Sequence, residues 1–211
     1  RADRSIPEAG RHLLAWHRRL TGEFEGSEKR AGSDRALRAQ LKRCQEPGDA
    51  LFLPGFASVF QYIYPDESAR TAAMQNQDVV AALARVAITA ANLGGRGAQI
   101  DTTTPLALQM LGREGRIADG RIEDAMVTPL RLRVLLTTED PDAALARWRR
   151  LLPVFAGSGV NLPELAQALA HWNETTRRML SFAYFALAAT GPHRSGAPTE
   201  PEDDPALQPG A

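Results

Sequence analysis

The sequence has almost no lysine. Of its 25 lysines and arginines only Lys29 and Lys42 are lysines, so guanidinium carries nearly all the positive charge. Guanidinium forks suit phosphate, although a GC-rich genome favours arginine codons and produces the same bias. Composition alone does not separate the two. Cysteine is nearly absent as well. The single Cys44 excludes an intrachain disulfide and fits a reducing compartment. Long apolar runs are missing, since none approaches the ~20 residues of a membrane span. The opening residues RADRSIPEAGRH lack the apolar core of a signal peptide. A cytoplasmic location is the resulting expectation.

Strand signals are sparse: few runs alternate, and no Asn-Gly pair marks a hairpin. Histidine is limited to His12, His17, His171 and His193, and no Cys or His pair has zinc-site spacing. GGRG (94–97) lacks the Lys-Ser/Thr of a phosphate-binding loop. The carboxylates of EPEDD (200–204) read as a solvated charge run. These absences leave no catalytic residue, metal site or cofactor to name.

What is present is helical periodicity. Leu13, Trp16, His17 and Leu20 share one face of 8–20, where His17 is expected as a core histidine. Residues 78–93 are apolar on most sides, with Val79, Leu83, Val86 and Ala90 at helical spacing, as in the buried centre of a bundle. Three segments open on cap-plus-proline pairs: Thr104-Pro105, Thr128-Pro129 and Asp140-Pro141. Asp34 is expected to cap the helix over 35–44, and Asn173 a last segment. Pro153 is expected to end a regular ladder. Residues 45–55 read as a break and 64–77 as a polar connector.

The expected fold is all-α: a two-lobed helical bundle with a disordered C-terminal tail. The lobes are 1–93 and 128–190, joined by a connecting region at 94–127. Residues 191–211 form the tail, which holds four acids, one arginine and five prolines. Such a composition buries too little apolar surface to offset the entropy of ordering. Without the tail, the zero net charge resolves into 24 cations against 21 acids.

The basic clusters are the strongest signal. RALRAQLKRC (35–44) carries Arg35, Arg38, Lys42 and Arg43. On a helix they fall within about −60° to +80° of Arg35, while Leu37, Leu41 and Cys44 fall at about 180–240°. Cys44 is therefore expected to pack rather than react. Ordinary solvated faces mix acids at i, i+4, and this one does not. Acid-poor pairs recur at Arg131 and Arg133, at Arg147 and Arg150, and at Arg177 and Arg178. Together the ten cations are the candidate nucleic-acid-binding residues, directed at phosphate. No aromatic platform accompanies them, which disfavours base reading of single strands.

In order and spacing, AWHRRL (15–20), RALRAQLKRCQEPGDALFLPGF (35–56), RLRVLLTTEDPDAALARWRRLL (131–152), LAQALAHW (165–172) and RRMLSFAYF (177–185) together resemble the CasB family. CasB is the small subunit of the type I-E CRISPR surveillance complex, Cascade. The resemblance implies a helical, non-catalytic subunit that pairs with a second copy of itself and contacts the large and backbone subunits. It further implies help in holding the crRNA–target DNA duplex and the displaced strand in the R-loop. Arg43 and Arg131 match basic positions of the family. Regions 64–77 and 94–127 fit the pattern poorly, so Arg96, Arg113 and Arg116 stay unassigned. Two other readings stand beside this one: a helical protein-interaction module without nucleic-acid contact, and a metal-dependent helical nuclease.

Overall fold

The computed structural model describes residues 8–22, 32–94, 98–112 and 122–189. The expected tail lies outside the described residues, as do His193, Arg96, Arg113 and Arg116. The described residues form eleven α-helices and two short 3-10 turns, with one isolated parallel bridge between Ile100 and Val160.

The first helix, α1 (Glu8–Thr21), buries Leu13, Trp16, His17 and Leu20, the face its spacing predicts. Then α2 (Gly32–Arg43) begins before Asp34, which therefore sits in the first turn instead of capping it. There the Asp34 carboxylate accepts from Arg19 Nε at 2.7 Å and ties α2 to α1. Two further helices were not expected. α3 (Pro47–Leu51) lies within the supposed break. After α4 (Ala57–Ile63), α5 (Glu67–Gln75) occupies the supposed connector, capped by Asp66, which accepts from Ala69 N–H. Only Ala73 of α5 is buried, so no apolar period marks it.

α6 (Gln77–Ala91) is the central helix, buried without a break from Ala82 to Ala91. It packs against α2, α3 and α5 from the first half and against α9 and α10 from the second. One apolar core runs from Leu13 to Tyr184 and includes residues on both sides of the connecting region.

That region contributes α7 (Leu106–Leu111). Thr104 does not cap it: Pro105 takes the cap position, and the Leu106 N–H donates to Glu164 Oε2 at 2.7 Å. Glu164 belongs to α10 (Leu162–Ala170), so the cap is tertiary. Gly159 holds φ at +106°, and a Cβ there would lie 2.8 Å from Asp101 Cβ, so only glycine fits this crossing.

The remaining helices keep the expected grammar. α8 (Pro129–Leu136) and α9 (Pro141–Leu151) are capped by Thr128 and Asp140, each followed by proline. The ladder of α9 passes into a 3-10 turn at Leu152–Phe155, where Pro153 sits. α11 (Glu174–Ala189) starts at Asn173, whose Oδ1 accepts from Thr176 N–H. It runs back along α8: Arg177 Nη1 reaches Leu136 O at 3.0 Å, and Tyr184 Oη donates to Val127 O at 2.7 Å.

Candidate nucleic-acid interface

A helix leaves its last carbonyls without intrahelical partners, and cations are favoured at that negative end. In this fold arginines from distant helices fill that role. Arg38 donates to Ala91 O (3.1 Å), Leu93 O (2.6 Å) and Gly94 O (3.1 Å) at the end of α6. Arg149 donates to Cys44 O (2.6 Å) and Lys42 O (3.0 Å) at the end of α2. Arg177 serves the end of α8 through Leu136 O. Arg85, buried in α6, reaches Leu169 O near the end of α10 and pairs with Asp142 at 2.8 Å.

The other candidates divide cleanly from these. Arg35, Lys42, Arg43, Arg131, Arg133, Arg147 and Arg150 are exposed. Among the described residues the ion pairs are His12–Glu8, Arg19–Asp34, Arg85–Asp142 and Arg178–Glu174, and none involves those seven. Their side chains donate no described hydrogen bond to the protein. Arg178 is different again: its exposed guanidinium pairs with Glu174 at 2.6 Å, one turn away.

The structure brings several of the free cations together. Arg131, Arg147 and Arg150 line one groove between α8 and α9, about 360 Å³ in volume, over an apolar floor that includes Leu130, Val134 and Val154. No acidic side chain lines it. Arg149 then clasps the end of α2 against the same α9 turn that carries Arg150. Lys42 and Arg43, at the last positions of α2, thereby lie beside Arg149, which points about 200° away from Arg147 on α9, so they form a patch separate from the groove. Arg133 is not in the groove, because it points about 200° away from Arg131 on α8. Arg35 lies at the far end of α2, near Gly22.

The electrostatics are consistent with crowded positive charge. Partial desolvation of its exposed side chain, and next the charge of Arg38, hold the Lys42 ammonium below its usual range. Burial, and next the same Arg38, push His17 down to about 4, so it is a neutral core residue. The Cys44 thiol is buried and burial pushes its pKa up, which suits packing and not nucleophilic chemistry. No cluster of His, Cys, Asp or Glu able to hold a metal occurs among the described residues. No described helix is long and apolar enough to cross a membrane.

Sequence reasoning left Arg149 out of the candidates and overlooked Arg85. The partner of Arg149 lies 105 positions away, so no local pattern announces it. Arg85 did leave a trace, as a lone cation within an apolar helical run.

The family model of the CRISPR-associated protein Cse2 matches residues 37–185. The chain belongs to the Cse2 family. This is the small-subunit family expected from the sequence under the name CasB. The matched span of this Cse2 family member includes the α2 cluster from Arg38 onward, the α8–α9 groove and α11 as far as Phe185. Among solved structures, a chain in the crystal structure of E. coli Cascade bound to a PAM-containing dsDNA target is similar, with 19% identity and a TM-score of 0.49. The similarity covers 82% of this chain and 96% of that one. No curated protein matches.

Proposed function

We propose that the chain is a non-catalytic, cytoplasmic small subunit of the type I-E surveillance complex that holds DNA backbones through exposed basic patches. The observation that carries this reading is the acid-free α8–α9 groove, where the exposed Arg131, Arg147 and Arg150 converge without an acidic partner. Arg131, Arg147 and Arg150 form the centre of the surface, Lys42 and Arg43 a second patch at the end of α2, and Arg35 and Arg133 stand apart from both. Arg38 and Arg177 are assigned first to the fold, since three carbonyls take the Arg38 donors and Leu136 O takes Nη1 of the partly buried Arg177. Arg178 contributes less, because Glu174 offsets its charge.

In an RNA-guided effector, base pairing reads the sequence, and protein contacts to the backbone tip a nearly balanced strand exchange. A sequence-blind cationic surface is sufficient for that task. Exposed Met179, Phe182 and Phe185 make an apolar stripe on α11, which supports protein contact with other subunits as a second role of the same chain.

The test is the triple reversal Arg43→Glu, Arg147→Glu and Arg150→Glu in the assembled complex. Assembly should persist while target affinity falls. Each lost phosphate contact should flatten the salt dependence by about 0.7–0.9 in log–log slope. Unchanged affinity across the salt series would overturn the DNA-binding reading. DNA cleavage in magnesium or manganese that co-purifies with the chain would overturn the non-catalytic one.

A further inference from the structure

The α8–α9 groove combines three free guanidinia with an apolar floor and no acid of its own. The sequence contains one segment with the complementary pattern. Residues 200–204, EPEDD, place four carboxylates within five positions. Three residues later comes Leu207, the only large apolar residue in 191–211.

Geometry puts that segment within reach. Because α11 runs back along α8, its Tyr184 meets Val127, just before α8 begins. Ala189 lies about one and a half turns further on. The chain therefore leaves α11 near the end of α8 that carries Leu130 and Arg131. From 190 to 200 the backbone can span up to ~35 Å, ample for the length of the groove.

We propose that residues 200–207 of the same chain dock in the α8–α9 groove, their carboxylates on Arg131, Arg147 and Arg150 and Leu207 on the floor beside Val134 and Val154. Carboxylate meets guanidinium through paired, charge-assisted hydrogen bonds. Pro201 and Pro205 restrict the backbone and reduce the entropy lost on docking. The short tether gives an effective concentration of roughly millimolar order, so a weak contact is still populated. The docked acids occupy the guanidinia assigned above to phosphate, which makes the segment an internal competitor of DNA. The contact itself stands apart from the DNA-binding reading, and only this consequence rests on it.

The experiment places a nitroxide on the full chain at Ala206→Cys and reads methyl signals by NMR. Buried Cys44, with its raised pKa, stays unlabelled. Methyls of Leu130, Val134 and Val154 should broaden at low salt, while those of Val59 in α4 stay sharp. The effect should vanish at high salt and in a full chain carrying Glu200→Gln, Glu202→Gln, Asp203→Asn and Asp204→Asn. Groove methyls no broader than those of Val59 would overturn the proposal. So would broadening that survives both high salt and the neutral segment. Mixing a labelled chain with an isotope-enriched unlabelled one should give no broadening, and broadening there would overturn docking within one chain. The neutral-segment variant should bind a single-stranded oligonucleotide roughly three- to tenfold more tightly, the ratio expected on removing a tethered competitor. Docking by NMR with unchanged DNA affinity would support the contact and count against the groove as a phosphate site.

Discussion

Arg38 and Arg147 are both arginines on amphipathic helices, and their surroundings differ completely. Arg38 sits half-buried and gives its donors to three carbonyls at the end of α6. Arg147 is exposed in a groove with no acid and no described partner. The contrast extends to their neighbours. Arg85, Arg149 and Arg177 serve helix ends, while Lys42, Arg43, Arg131 and Arg150 do not. A chain so rich in arginine therefore uses guanidinium in two ways: one set completes the fold, and the other remains available to a partner.

The comparison can be broken most severely at Arg38. Arg38→Ala leaves several shielded carbonyls without a donor, and each such group costs about 1–3 kcal/mol. A loss of about 3 kcal/mol is expected in urea unfolding. Arg38→Lys should recover only part of it, since an ammonium lacks the fork that spans separate acceptors. A near-neutral effect of Arg38→Ala would erase the distinction between the two sets.

Beneath Arg38 lies His17, which sharpens the same contrast through pH. Its folded pKa of about 4 lies below the ordinary value of 6.5. The unfolded chain therefore binds a proton first as pH falls, and stability is lost below about pH 6.5 until the folded form also protonates. The total is about 3 kcal/mol over that window. His17→Leu should flatten this part of the pH–stability curve. An unchanged slope would place the acid sensitivity elsewhere.

Tyr184 offers a smaller test, away from any cation. Its hydroxyl is buried and donates to Val127 O, and burial, then the charge of Glu123, pushes its pKa up to about 12. Tyr184→Phe leaves that carbonyl unpaired and should cost about 1–3 kcal/mol. It should leave the DNA affinity of the folded chain unchanged.

Much of this architecture was readable before the structure. The faces of α1 and α6, the caps of α8 and α9, and the packing of Cys44 follow from spacing and local chemistry. Elements without a periodic apolar face were not readable. α5 buries only Ala73, and α3 is a single short turn around Pro47. Asp34 and Thr104 had the right chemistry for caps, yet tertiary partners decided both ends: Arg19 takes Asp34, and Glu164 supplies the cap of α7. The basic helices were visible as clusters, but their division was not. What separates Arg38 from Arg43 is a set of carbonyls more than 50 positions away. Only the folded chain brings those carbonyls within reach.

The central claim is that division, and one paired measurement addresses it directly. The double variants Arg38→Ala with Arg177→Ala, and Arg147→Ala with Arg150→Ala, are compared for unfolding free energy and for target-DNA affinity within the assembled complex. The first pair should lose several kcal/mol of stability, and where it folds and assembles it should retain DNA affinity. The second pair should keep its stability to within about 0.5 kcal/mol and flatten the salt dependence of DNA binding. The reverse pattern, or equal effects of both pairs on both quantities, would contradict the account.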